Sequence, residues 1–461
     1  MTTLPSSYIE QMRKMLGEES GAFLDSYGLP RTQGLRINPR KINPEEPGAL
    51  LELQRLFALE PVPWCPGGYY YPEDSRPGRH PYHAAGVYYI QEPSAMSAVE
   101  LLDPQPGDIV LDLAAAPGGK STHIAGKLAG EGLLISNEIH PARAKILAEN
   151  IERMGIANAV VVSSNPPQLA ARFPRFFDRI MVDAPCSGEG MFRKDPDAVA
   201  EWSPAHVEMC AARQLDILQD AVRMLKPGGT LAYSTCTFNR LENEETAEAI
   251  LKLCPGLELE RTERIWPHRH RGEGHFVAVF RLTGTDAAAE DAPPAYKRRA
   301  PARAKRGTVR PEEEAVRLYE RWSAETWAPE GPAFPLPPGE PFLYGEQLYW
   351  LPQAEGCPFD GSLLQGLKVL RPGLHLAEVK KNRVEPAHAL ALALPKEADV
   401  QLRVDLRADG EEIHRYLRGE TLESPLPGSG WTLVTVDGYP IGWGKLSGGQ
   451  LKNHYPKGLR R

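Results

Sequence analysis

Two cysteines stand where a thiol can do chemistry. Cys186 lies in RIMVDAPCSGEG and Cys236 lies further on in LAYSTCTFNRLENEE. Each follows an apolar run that ends in small or hydroxyl-bearing residues, the pattern of a buried strand leaving its sheet. A cysteine in such a place is either an inert core filler or, once ionised, a nucleophile. As a nucleophile it would add to an electron-poor carbon and divide one hard step into easier ones. Asp183, just before Cys186, offers an acid. Lys120, in LDLAAAPGGKST, offers a cation that would favour the thiolate if it points into the same crevice, or else simply pairs with an acid. Cys65, Cys210, Cys254 and Cys357 lack such settings and read as structural.

The elements around these residues alternate. DIVLDLA, GLLISNE, NAVVVSS, FDRIMVDAP and TLAYSTC read as strands one to five. Helical patterns separate them, among them PARAKILAENIERMG and a long one opened by Ser-Pro and closed by Pro-Gly-Gly. LELERTE and GHFVAVFRLTG follow without a helix and read as a closing hairpin. The fold class expected is α/β, a doubly wound Rossmann-like sheet, mostly parallel with an antiparallel closing hairpin. Ligands of such sheets bind beyond the carboxyl ends of the strands. The two cysteines, Asp183 and the glycine loop therefore converge on one crevice.

The loop itself supports two chemistries. From Ala114 to Ser121 it reads AxxxxGKS, one residue from a nucleotide phosphate loop, and Asp183 then resembles a magnesium-binding acid. Alternatively the small residues let backbone amides approach the carboxylate of S-adenosylmethionine. Glu138, at the end of strand two, then serves the ribose hydroxyls. A plainer reading of Glu138 is an acid at a helix start beside Pro141. His123 and Lys127 read as a solvated helix face.

The remaining totals exclude other classes. A chain of 461 residues needs several cores. No segment is long and apolar enough for a membrane span, and the N-terminus lacks a secretory h-region. Six cysteines without a CxxC pair fit free thiols in a reducing cytoplasm and give no zinc site. The net charge of −7 does not advertise nucleic-acid binding, but Thr283 to Glu314 carries Lys297, Arg298, Arg299, Arg303, Lys305, Arg306 and Arg310. That segment reads as a linker, either a solvated tether or an RNA-contacting arm.

LDLAAAPGGKST, MVDAPCSGEGMFRKDP and YSTCTFNRLENE together resemble the signature motifs of the RNA 5-methylcytosine methyltransferases, the NOL1/NOP2/Sun family. GVYYIQEPSAM and GLRIN resemble its upstream elements. The resemblance implies S-adenosylmethionine as cofactor, with Ala114, Ala115, Ala116, Pro117, Gly118, Gly119, Lys120, Glu138 and Asp183 around it. It implies Cys236 as nucleophile toward cytosine C6, Cys186 as helper in product release, and catalytic support from Asp183 and Lys120. Chemistry alone leaves the choice of cysteine open. Asn165 stands where relatives commonly have Asp for the adenine. The implied substrate is structured RNA, most of all small-subunit rRNA or its assembly intermediate, bound by a monomer. Competing readings are a tRNA methyltransferase, a phosphate-loop ATPase and a non-catalytic assembly factor. The expected division is 1–80 N-terminal domain, 81–283 methyltransferase domain, 284–314 linker, 315–390 first C-terminal domain and 391–461 PUA-like domain, the last two small, β-rich and RNA-binding.

Overall fold

The computed structural model describes residues 4–43, 47–284, 311–328 and 336–460. Its centre is an eight-stranded sheet. In chain order the strands are β1 (Ile109–Asp112), β2 (Leu133–Asn137), β3 (Ala159–Val162), β4 (Phe177–Asp183), β5 (Leu225–Thr235), β6 (Leu257–Ile265), β7 (His275–Leu282) and β8 (Val369–Arg371). Across the sheet they run β6-β7-β5-β4-β1-β2-β3-β8. β1 to β5 pair in parallel, while β7 lies antiparallel between β5 and β6. Every residue of β1, β2 and β3 is buried, as expected of strands covered by helices on both faces. One face packs Leu111, Ile135, Val160 and Val182 against Leu218 and Ile250 of the covering helices. The opposite face packs Val110, Leu134 and Met181 against Leu102, Ile124 and Leu147.

The chain winds outward from β1 through β2 to β3, then returns to β4 on the other side. The order reverses between β1 and β4, which sets the crevice at their carboxyl ends. The long helix Pro204–Met224 begins where the Ser203 hydroxyl accepts the His206 N–H at 3.1 Å. It ends at Met224, and LKPGG already belongs to β5. Pro227 disfavours helical backbone at Lys226, so the strand starts earlier than the sequence pattern suggests.

Three smaller sheets surround this one. The N-terminal sheet orders Glu60–Pro61, Gly68–Tyr70, Gly34–Ile37 and Tyr88–Ile90. Its last strand lies beyond residue 80, so that expected boundary falls too early. A four-stranded sheet spans Gly339–Tyr344 to Arg383–Pro386, and a five-stranded sheet lies between Arg403–Leu406 and Gln450–Asn453. The expected boundary at 390 falls inside the helix His388–Ala393, whose alanines and leucines are buried between those two sheets. The basic cluster from Lys297 to Arg310 lies outside the described residues, and Pro311–Thr326 is a helix where the linker was expected to continue to 314.

The units share cores. Tyr8 and Phe23 of the N-terminal helices pack with Phe192, Trp202 and Phe238 of the central unit. β8, from the first C-terminal segment, pairs antiparallel with β3, and the Arg371 guanidinium donates to the Ile156 and Ala159 carbonyls. No periodic pattern marks a three-residue edge strand, so β8 went unseen in the sequence.

Candidate active site at the carboxyl edge of the sheet

Asp183 is the last residue of β4, and Cys186 follows it in the loop. Thr235 ends β5 and Cys236 is next. The two strands are neighbours in register, Asp183 opposite Ser234. Their parallel pairing therefore delivers both cysteines to one place, with sulfurs 3.3 Å apart and each half-buried. Contact with the Cys236 sulfur, then burial, pushes the Cys186 thiol well above its usual range. Cys186 thus holds its proton at neutral pH.

Buried polar residues fix this pair. The Glu242 carboxylate accepts from the Ser187 N–H and Gln214 Nε2 on one oxygen, and from the Ser187 hydroxyl and Asn239 Nδ2 on the other. Glu189 accepts from the N–H groups of Phe238 and Asn239 at 2.7 and 2.9 Å and from Trp202 Nε1 at 3.1 Å. Both glutamates are fully buried and join the loop after β4 to the loop after β5. The Gly190 N–H donates to the Cys236 carbonyl at 2.8 Å, and a Cβ on Gly190 would sit 2.8 Å from that same oxygen. Only glycine permits this approach. The Thr235 hydroxyl donates to Asn243 Oδ1 at 2.5 Å, tying Cys236 to the helical turn that follows. Glu189, Gln214, Asn239 and Glu242 went unassigned in the sequence. Two glutamates inside otherwise polar motifs look solvated until the loops are brought together.

Lys120 is buried and pairs with Asp183, Nζ to Oδ2, at 2.7 Å. The Ser234 hydroxyl donates to the other Asp183 oxygen at 2.9 Å, and His275 Nε2 lies 4.0 Å from it. Burial opposes charge on Asp183, but the Lys120 ammonium outweighs it and holds the carboxyl below the usual range. Burial, then Lys120, pushes His275 down to about 3, so it is neutral. Lys120 is accordingly a positioning residue for Asp183.

The glycine loop follows β1. Gly118 sits at φ +116°, a backbone state open to glycine. Arg143 and Asn150 hold the loop from behind through the carbonyls of Ala116 and Pro117 at 2.8 and 2.9 Å. Arg36 of GLRIN donates to Thr122 Oγ1 at 2.7 Å and to Gln91 Oε1 at 3.2 Å, joining both upstream elements to the loop's helix. Asp112 is fully buried. Its Oδ2 accepts the Ser121 hydroxyl at 2.6 Å, while Oδ1 has no partner among the described residues. Burial, against that hydrogen bond, raises Asp112 to about 7.

Glu138 is buried beyond β2, with Oε1 accepting the His140 N–H at 2.9 Å and Oε2 3.3 Å from Arg143. It lies before the helix Pro141–Arg153, whose first turn carries no acid, so it is not a helix-start acid, and it keeps acceptor capacity. Asn165 is exposed beyond β3, and its Oδ1 accepts the Gln168 N–H at 2.9 Å in a capping box. Its amide hydrogens and the second lone pair of Oδ1 remain to face a ligand. His123 and Lys127 do not form a solvated face. His123 is buried 2.8 Å from Glu100 Oε1 and Lys127 lies 2.7 Å from Oε2, because the N-terminal sheet covers that side of the helix.

This arrangement suits S-adenosylmethionine better than a nucleotide triphosphate. A phosphate loop needs its lysine free for phosphate and its serine free for magnesium. Here Lys120 is committed to Asp183 and Ser121 to Asp112. The loop, the unpartnered Asp112 oxygen and the buried Glu138 fit a cofactor with an amino acid at one end and ribose hydroxyls in the middle.

Comparison with known proteins gives the same answer. Residues 99–281 match the family model for 16S rRNA methyltransferase RsmB/F. Residues 4–93 match the N-terminal domain of 16S rRNA methyltransferase RsmF, 322–394 the RsmF rRNA methyltransferase first C-terminal domain, and 403–461 the methyltransferase RsmF PUA domain. Ribosomal RNA small subunit methyltransferase F of Shewanella amazonensis is 34% identical over 462 residues, covering 95% of this chain and 94% of its own. The chain belongs to the RsmF family. The RsmF relative from Cronobacter sakazakii is also 34% identical, over 491 residues, covering 99% of this chain and 96% of its own. A solved methyltransferase homolog protein from Pyrococcus horikoshii aligns with a TM-score of 0.53 at 26% identity, over 60% of this chain and 95% of that one.

Proposed function

We propose that this RsmF-family chain transfers a methyl group from S-adenosylmethionine to cytosine C5 in 16S rRNA. Cys236 is the nucleophile, and Cys186 is the thiol that holds a proton beside it. The observation that carries this reading is the 3.3 Å approach of the two sulfurs at the crevice edge, next to the glycine loop. Two thiols in contact have complementary uses. One adds to the base and the other supplies a proton, and the resemblance of YSTCTFNRLENE to the family motif gives the first role to Cys236.

The bound cofactor supplies an electrophilic methyl on a sulfonium. The chain does the rest. The Cys236 thiolate adds to C6 of an unpaired cytosine, and the resulting enamine makes C5 nucleophilic toward the methyl. Asp183, kept ionised by Lys120, accepts a hydrogen bond from the exocyclic amine and so orients the cytosine for attack. After methyl transfer water takes the C5 proton, the C6–S bond breaks as the C5–C6 double bond re-forms, and the Cys186 S–H protonates the departing Cys236 sulfur. Ala114 to Gly119 hold the cofactor by backbone, Glu138 takes the ribose hydroxyls, and Asn165 donates to the adenine.

The PUA domain supports an RNA substrate. Among the described residues no helix is long and apolar enough to cross a membrane. A monomer acting in the cytoplasm on the small subunit or its assembly intermediate completes the proposal. Bisulfite sequencing of 16S rRNA from cells with and without the protein tests it. One or more cytosines should lose protection in the deletion strain. An unchanged 16S pattern with a tRNA cytosine losing protection would transfer the activity to tRNA.

A further inference from the structure

Beside the cysteines lies a groove that the mechanism does not use. It has a volume of about 580 Å³ and is lined by Arg31, Arg193, His268, Arg269, His270 and Arg271 among others. Its floor is a buried ion pair, Arg193 Nε to Glu273 Oε2 at 2.6 Å. That pair gathers the N-terminal unit and the central sheet. Arg193 donates to the Ser26 and Gly272 carbonyls, and Glu273 accepts the Thr32 N–H. Packed backbone separates the groove from the active site. The carbonyls of Glu273 and Gly274 lie 3.1 and 3.3 Å from the Cβ position of Gly190, whose N–H is bonded to the Cys236 carbonyl.

The rim is rich in arginine and accessible, with Glu73 the one acid among its lining residues. Arg31, Arg269, His270 and Arg271 are exposed. Arg31 pairs with no carboxylate among the described residues; its Nε donates to the Arg193 carbonyl, leaving the rest of its fork open. Arg269 is held by Glu19 and Arg271 by Glu60, with all four side chains about half exposed or more. Exposed pairs of this kind are weak, and a phosphate accepts from an arginine fork as well as a carboxylate does.

We infer that this groove binds the phosphodiester backbone of the single strand flanking the target cytosine, with Arg31, Arg269 and Arg271 as phosphate contacts. The inference rests on the RNA-methyltransferase reading of the neighbouring cysteines. A base presented to Cys236 must leave its stack, so the strand beside it is unpaired. An arginine-rich groove one backbone layer from the nucleophile is where that strand can lie.

A short uridine-only RNA offers phosphates without a target base. Its affinity for the full-length protein is measured by fluorescence anisotropy as salt is raised. The variant Arg31→Gln/Arg269→Gln/Arg271→Gln should bind roughly 10- to 100-fold more weakly at low salt, and the slope of log K against log salt should fall by about 2. Arg31→Gln alone, which breaks no ion pair, should lower the slope by about 0.7. Retained S-adenosylmethionine binding by both variants shows that they are folded. Wild-type affinity and slope in both variants would overturn the inference. Methyl incorporation into 16S rRNA by the wild-type protein is read in parallel, so failure of the groove and failure of the activity are seen separately.

Discussion

The carboxylate of Glu242 lies between the two cysteine loops, accepting the Ser187 N–H from one side at 2.9 Å and Asn239 Nδ2 from the other at 2.7 Å. Ser187 follows Cys186, and Asn239 lies in the loop after Cys236. Glu242 therefore sets the distance between the two sulfurs without touching either reacting atom.

Four donors converge on that carboxylate, so an amide cannot replace it. In Glu242→Gln at least one donor meets an NH₂ group. Hydrogen bonds to a charged group contribute about 1.5–3 kcal/mol each, and urea denaturation should show a loss of that order or more. With the loops displaced, kcat should fall by about 100-fold while the affinity for S-adenosylmethionine stays near wild type. A variant with wild-type kcat, or one whose defect lies in cofactor affinity, would contradict a positioning role.

Removing the cation beside Asp183 should move a pH limb. In Lys120→Met the strongest opposition to burial is gone and the Asp183 carboxyl rises. The ionised form is then lost at higher pH, so the acid limb of kcat/KM shifts upward. An acid limb left in place would separate Lys120 from Asp183.

Five histidines are held neutral by burial: His80, His123, His375 and His388 near 4, and His275 near 3. Unfolded, they take up protons near pH 6.5; folded, they do so only well below that. The unfolded chain thus binds more protons between about pH 6.5 and 4, and stability falls as pH drops through that window. Urea midpoints measured across the window should decline steeply, and less so in His275→Gln.

Asp112 acts in the opposite direction. Its folded carboxyl titrates near 7 and its unfolded one in the usual range near 4, so between these values the folded state binds the extra proton. That contribution is lost as pH rises toward 7. Asp112→Asn carries no such loss, so without cofactor its stability relative to wild type should increase from about pH 4 to 7 and then level off. A pH-independent difference would place the Asp112 proton elsewhere.

The alternation of β1 to β5 with helices, and the closing pair β6 and β7, were legible because buried parallel strands leave long apolar runs. Cys186, Cys236, Asp183, Glu138 and the loop from Ala114 were legible because each sits at a strand end. Lys120 was visible, but its commitment to Asp183 was not, since that depends on which way a helix side chain turns. The Glu189 and Glu242 clasp was hidden because both carboxylates acquire donors only when two distant loops meet. The groove at Arg31 and Arg271 was hidden for a similar reason, as its walls come from different units and the net charge of −7 masks it. β8 was too short to leave a period.

The division of labour between the cysteines is tested most directly by trapping. Purified Cys186→Ala and Cys236→Ala proteins are incubated with 16S rRNA and S-adenosylmethionine and run on a denaturing gel. Cys186→Ala should give a slow band of protein joined to RNA, because Cys236 still adds to C6 but departs poorly. Cys236→Ala should give neither adduct nor methylated RNA. An adduct formed by Cys236→Ala, or none formed by Cys186→Ala, would contradict the assignment.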